Sequence, residues 1–128
     1  MIYVNIAVSD LPLSRAFYTA LGFHFNDQFC DATAACLVIS DTIYAMLLTK
    51  EKFGSFAPNG ICDSRKENEA LLCISCESRD EVDVLVKKAV AAGGNTYNNS
   101  QDHGFMYAHG FQDLDGHVWE LAYMEQTT

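Results

Sequence analysis

Glu120 lies in a run, residues 117–124, that reads as a strand after an Asp115-Gly116 turn, and it is the one carboxylate in that run. Taking Asp115-Gly116 as the two-residue turn of a hairpin pairs Asp113 with Val118, Phe111 with Glu120 and His109 with Ala122, and paired residues share a face. Glu120 and His109 become diagonal neighbours. A carboxylate in a partly apolar pocket is costly unless paired; desolvation raises its pKa and a cation lowers it. Glu120 and His109 are therefore the candidate catalytic pair, assisted by Tyr3, either anchoring a small ligand or acting in acid–base chemistry. A purely structural carboxylate, satisfied by the Tyr3 hydroxyl or by water, is the equal alternative. By the same hairpin rule the Ser40-Asp41 turn sets Cys36 opposite Ala45, and alternation adds Tyr3, Asn5 and Cys73 to the inner surface. The expected ligand-binding lining is Tyr3, Asn5, Cys36, Cys73 and Phe111, while Trp119, Leu121 and Tyr123 point the other way, under the helices.

The remaining reactive side chains carry less. Five cysteines, Cys30, Cys36, Cys62, Cys73 and Cys76, are odd in number and irregular in spacing, unlike a secreted disulfide framework, and read as reduced thiols. Cys73 and Cys76 match C-x-x-C, but in a strand residues three apart point to opposite faces and cannot share a metal. They read as small buried hydrophobes. His103 sits in a loop before a strand, where solvent exposure is the expectation, and His24 and His117 lack a metal-ligand neighbour at useful spacing.

The elements that would hold these residues come in one order, written twice. Ile2, Val4, Ile6 and Val8 alternate with Tyr3, Asn5 and Ala7, a strand. Asp10 caps a helix, Pro12 is tolerated in its first turn, Leu13, Phe17, Ala20 and Leu21 recur at helical spacing, and Gly22 stops it. Three strand-like runs follow at about 23–29, 33–39 and 42–48, then a segment from Lys50 to Phe56 that reads as a short helix over the cavity mouth or a packed connection. The order restarts with an apolar strand over 70–76. Ser78 and Glu81 form a capping box for a helix with Val82, Leu85, Val86 and Ala89 on one face, ended by Gly93-Gly94. A short strand at 95–97, a strand over 105–112 and the final strand complete it. The fold expected is α+β: two tandem βαβββ modules, about 1–60 and 69–125, in a single domain over 1–128, forming a curved mixed sheet around a concave cavity with helices outside.

At 128 residues, 49% hydrophobic and 20% charged, the chain has a globular composition and can bury a core of its own. Eight basic against seventeen acidic residues give a net charge of −9, which opposes phosphate backbones and anionic lipid. Nucleic acid and membrane are thus not expected as partners. The first residues lack a basic, apolar leader and no apolar run approaches a membrane span, so a cytoplasmic location is expected.

Val4-Asn5-Ile6-Ala7-Val8-Ser9-Asp10-Leu11 with Ser14, Phe17-Tyr18 and Leu21-Gly22-Phe23, and Phe111-Gln112-Asp113-Leu114-Asp115-Gly116-His117-Val118-Trp119-Glu120-Leu121, resemble the opening and closing motifs of the glyoxalase / bleomycin-resistance / extradiol-dioxygenase (vicinal oxygen chelate) superfamily. The likeness spans nearly the whole chain. Metal-using members hold a divalent ion with four side chains, one from the first and one from the last strand of each module. Carried over here, those positions are Tyr3, Ala45 or Leu47 according to register, Leu71, and Glu120, of which only Glu120 is a usual ligand. The resemblance therefore implies no conventional metal, with a divalent ion at a modified site as the alternative. It implies a protein that binds a small molecule in its cavity, as a homodimer, the −9 charge favouring a cationic or neutral guest. The alternative is a lactoylglutathione-lyase-like enzyme, or another metal-dependent lyase, isomerase or dioxygenase. Whether any reaction is catalysed stays open at this point.

Overall fold

Alternating apolar residues in the first strand and a helix capped at its entry already fix how each half must lie, because a strand and a helix each have one face to bury. In the computed structural model, which describes residues 1–125, the chain divides into two compact units, Met1–Cys62 and the chain from Asp63 onward. Residues 126–128, the end of the expected 1–128 domain, lie outside the described residues. The first unit runs β1 (Ile2–Val8), α1 (Leu11–Ala20), β2 (His24–Phe25), β3 (Ala34–Val38), β4 (Ile43–Thr49) and α2 (Lys50–Phe56). The second runs β5 (Leu71–Ser75), α3 (Arg79–Ala91), β6 (Gln101–Asp102), β7 (Met106–Gln112) and β8 (Val118–Met124). Each unit has one four-stranded mixed sheet, ordered β1-β4-β3-β2 and β5-β8-β7-β6. In both, the first strand runs parallel to the last and the other pairings are antiparallel. This is the βαβββ plan twice over.

Local chemistry sets the helices. The Asp10 side chain accepts from the backbone N–H of Leu13 at 3.0 Å and starts α1, whose buried residues are Leu11, Ser14, Phe17 and Tyr18. Leu13 was expected on that face and is instead 59% exposed. The buried stripe runs Leu11, Ser14, Phe17, Tyr18 and Leu21 at helical spacing, and Leu13 lies off it. At α3, Ser78 Oγ accepts from Glu81 N at 3.1 Å, and Glu81 Oε2 reaches back to Glu77 N at 2.7 Å, one residue beyond the usual capping-box donor. Lys50–Phe56 is a helix, N-capped by Thr49 and packed on β1 and β4.

Two strand expectations change. Of residues 23–29 only His24–Phe25 is strand, because the Asn26 side chain accepts from Gln28 N at 3.1 Å and starts a 3-10 turn over Asp27–Phe29. The expected strand at 95–97 reduces to a single bridge, Asn95 to Gln112, and β6 forms instead at Gln101–Asp102, in the stretch read as loop.

Each sheet has one side that faces its long helix, α1 or α3, and in the second unit, which has no other helix among the described residues, the opposite side is helix-free. In the first unit Val8, Ala35, Leu37, Ala45 and Leu47 are almost fully buried, and α1 packs on β3 and β4. In the second, Phe111, Trp119 and Leu121 are buried on the side where α3, which brings Val82, Val86 and Ala89, packs on β7 and β8. Burying a large apolar side chain contributes about 1.5–3 kcal/mol, so these rows hold the helices in place. Trp119 and Leu121 lie on the side expected for them. Among the described residues no helix is long and apolar enough to cross a membrane.

Candidate functional site

The position of Glu120 is decided by a loop. The β7–β8 hairpin closes through Asp113 N to His117 O at 3.0 Å and Gly116 N to Asp113 O at 3.1 Å, leaving Leu114, Asp115 and Gly116 as a three-residue loop with Gly116 at φ +87°. Such a loop is a type I turn followed by a left-handed residue. Asp113 Oδ1 accepts from Asp115 N at 3.0 Å and His117 N at 2.9 Å and holds the turn in that form. From sequence alone Asp115-Gly116 fits a two-residue turn. The extra loop residue shifts every pair by one: Gly110, not Phe111, lies opposite Glu120, and His109 lies opposite Leu121.

A one-residue slip exchanges faces. His109 and Phe111 therefore belong to the helix-facing register, and the expected diagonal contact between Glu120 and His109 does not form. The His109 ring instead turns to the 95–98 segment at the edge of β7, with Nε2 2.8 Å from Asn98 O and 2.9 Å from Thr96 Oγ1. A carbonyl only accepts, so Nε2 carries a proton. Thr96 Oγ1 also donates to Gly110 O at 3.1 Å. His109 is thus a clasp on the segment that carries Tyr97. Phe111 is 1% exposed and is core rather than lining.

The first hairpin shows the same shift. Ile39 N and Ser40 N both donate to Ile43 O at 3.0 Å, so the loop again has three residues, and Cys36 faces Met46 where Ala45 was expected. Ala45 points to the helix side. Tyr3, Asn5 and Cys36 lie in one register with Tyr44 and Met46 on the side away from α1, where the Tyr3 and Tyr44 rings stack with centroids 5.0 Å apart. Cys36 is 1% exposed there, whereas Asn5 is open to solvent.

The two units can now be matched by their own pairing. Met46 is opposite Asn5, as Glu120 is opposite Cys73, each one alternation beyond Tyr3 with Tyr44 and Leu71 with Val118. Met46 is thus the first-unit counterpart of Glu120, in place of the Ala45 or Leu47 inferred from spacing. The two positions are Tyr3 and Met46 in the first unit, and Leu71 and Glu120 in the second. Taken as a donor set, a phenol, a thioether, an alkyl chain and a single carboxylate do not suit a hard divalent ion, which takes oxygen and nitrogen donors. Among the described residues no three His, Cys, Asp or Glu side chains gather as metal ligands.

On the helix-free side of the second sheet, Glu120 is half-buried, and no hydrogen bond or ion pair to its carboxylate occurs among the described residues. Cys73 lies beside it on β5. Partial desolvation of its sulfur by neighbouring groups first, and then the charge of Glu120, push the Cys73 thiol up, although the residue as a whole is exposed. Tyr97, which no sequence pattern singled out, lies over Gly110 on the other side; burial first, then Glu120 and Cys73, raise its phenol. The signal available was Gly110 itself, since a glycine inside a strand often marks a close approach. All five cysteines are free thiols, but only Cys36 and Cys76 are buried; Cys73 is exposed because β5 is an edge strand. Cys76 is pushed up to about 11 by burial, with the charges of Glu81, Cys73 and Glu77 adding to it. His103 is exposed beyond β6.

Two βαβββ units with a lone carboxylate on the last strand define a class: α+β proteins of the paired-module type. The Glyoxalase/Bleomycin resistance protein/Dioxygenase superfamily matches residues 1–121, and the chain belongs to that superfamily. Among solved structures it is similar to a hypothetical protein, SA1046, from S. aureus, with 27% identity, a TM-score of 0.82, and 96% of this chain and 92% of that one covered. A glyoxalase-related enzyme from Fulvimarina pelagi shares 20% identity at a TM-score of 0.81, covering 96% and 86%. A mutant of the fosfomycin resistance protein FosX from Listeria monocytogenes, complexed with Mn(II) and 1S,2S-dihydroxypropylphosphonic acid, shares 17% at a TM-score of 0.68, covering 94% and 86%. The latter two show likeness of fold alone. No curated protein matches the chain.

Proposed function

We propose that the chain binds a small molecule on the helix-free face of its second sheet, anchored by Glu120 and without the divalent ion used by the superfamily's metalloenzymes. The observation that carries this reading is the half-buried Glu120 carboxylate with no hydrogen-bond or ion-pair partner among the described residues. A desolvated charge is costly until something pairs with it. The net charge of −9 favours a cationic or neutral guest over an anionic one. The exposed apolar residues Tyr3 and Leu71, on the faces away from α1 and α3, support a homodimer that covers them, and the composition supports a cytoplasmic protein.

A thermal-shift screen of small amines and polyols against the wild type and Glu120→Gln tests the reading. Compounds that raise the wild-type midpoint should lose most of that effect in the variant, because the amide keeps the shape and removes the charge. Equal shifts in both proteins would leave Glu120 a structural carboxylate.

The second reading, a metal-dependent lyase, isomerase or dioxygenase, takes its support from the FosX complex with Mn(II). It requires donors beyond Glu120 that the paired positions Tyr3, Met46 and Leu71 do not supply.

A further inference from the structure

Gly110 is the residue of β7 directly opposite Glu120, and Glu120 is directly opposite Cys73 on β5, so the three form one row across the sheet. A Cβ built at Gly110 would lie 2.7 Å and 2.9 Å from Cζ and Cε1 of Tyr97, and closer still to its hydroxyl. The Tyr97 hydroxyl therefore occupies the space that a side chain at 110 would fill. The row then reads phenol, carboxylate, thiol, at the strand spacing of about 5 Å between neighbours. The Tyr97 phenol, raised by burial first and then by Glu120 and Cys73, keeps its proton and can donate, and a carboxylate offers acceptor oxygens. The segment carrying Tyr97 is fixed by His109 and Thr96, and by the Asn95 side chain, which donates to Gln112 Oε1 at 3.0 Å.

We infer that Tyr97, seated in the gap left by Gly110, is a specificity-determining residue of the Glu120 site, which selects an amine bearing a neighbouring hydroxyl: the ammonium docks on Glu120 and the ligand oxygen accepts from Tyr97. An ammonium answers this carboxylate: among the described residues no Lys or Arg forms an ion pair with Glu120, and Arg15, Arg65 and Arg79 are engaged with Asp27, Asp115 and Asp102. The aromatic ring beside the carboxylate favours a cation further. This inference rests on the reading of Glu120 as a ligand anchor.

Three probes of one shape separate the parts: trans-2-aminocyclohexanol, cyclohexylamine, which lacks the oxygen, and trans-1,2-cyclohexanediol, which lacks the ammonium. Binding is read from amide shifts of residues 97, 110 and 120 in labelled protein. In the wild type the amino alcohol should bind about 3- to 10-fold more tightly than cyclohexylamine, the value of one hydrogen bond, and the diol most weakly. Tyr97→Phe should erase the amino alcohol's advantage and leave cyclohexylamine unchanged. Gly110→Ala should do the same, since its new methyl displaces the far end of a side chain rather than backbone. If both amines bind equally in the wild type, or Tyr97→Phe keeps the difference, the role of Tyr97 is overturned while Glu120 stands as anchor. If no amine binds, or Glu120→Gln binds amines as the wild type does, both are overturned.

Discussion

Replacing Gly116 by valine is expected to cost about 2–5 kcal/mol of stability, the sum of forcing a β-branched residue into the left-handed region and of overpacking. Gly116 has φ +87°, and a Cβ there would lie 2.6 Å from Ser64 O and 2.9 Å from Arg65 Cα. Both obstacles are backbone. The 63–65 segment is held in turn by Ser64 Oγ, which donates to Asp115 O at 2.7 Å, and by Arg65, which donates to Leu114 O at 3.0 Å, so it cannot step aside without breaking those bonds. Urea denaturation reads the effect as a midpoint lowered by about 1 M or more. Gly104→Ala, at φ +82° with no atom within 4 Å, isolates the backbone part and should cost only about 1–2 kcal/mol. Gly60→Ala, with neither constraint, should change little. Equal losses at 116 and 104 would show that the close approach to Ser64 contributes nothing.

Removing the Asp113 carboxylate is the second large effect. Its side chain is buried and accepts from the N–H groups of Asp115 and His117, so alanine leaves two donors without their acceptor, each worth about 1–3 kcal/mol when desolvated. A loss of about 2–4 kcal/mol is expected from Asp113→Ala. Hydrogen exchange should rise first at Asp115 and His117 and then along β7 and β8. Asp113→Asn, which keeps one acceptor oxygen, should recover much of the loss. The functional weight of the turn follows from register. Asp113 and Gly116 together make the loop three residues long, and a two-residue loop would carry Glu120 to the opposite face from Cys73 and the Tyr97 hydroxyl. A stability change confined to the turn, with no change along the strands, would mean that the register is held by the core rows instead.

The same turn marks how far the sequence can be read. Module order, both long helices with their Asp10 and Ser78 caps, and the helix-facing row of Trp119 and Leu121 follow from periodicity and capping chemistry, which are local. Loop length does not follow, because Asp115-Gly116 fits a two-residue turn as well as the end of a three-residue one; the difference lies in what the Asp113 side chain accepts. That single ambiguity moved His109 and Phe111 to the wrong face, and the equivalent one at residues 40–42 moved Cys36 from Met46 to Ala45. Glu120 was visible because it ends a recognisable motif. Tyr97 was not: it reaches the site across a strand from an irregular segment, and its placement depends on Gly110 having no side chain. His109 was legible as a polar residue near the site but not as a clasp, since Asn98 and Thr96 meet it only once β7 has its edge covered.

The claim that Glu120 serves a ligand rather than a divalent ion is tested most directly by titrating Mn(II) into the protein and following the free-ion signal by electron paramagnetic resonance. With Tyr3, Met46 and Leu71 in the paired positions, wild type and Glu120→Gln should deplete the signal alike, each showing only the weak, salt-sensitive uptake of an acidic surface. Stoichiometric depletion by the wild type that disappears in Glu120→Gln would contradict the account and place a metal at this carboxylate.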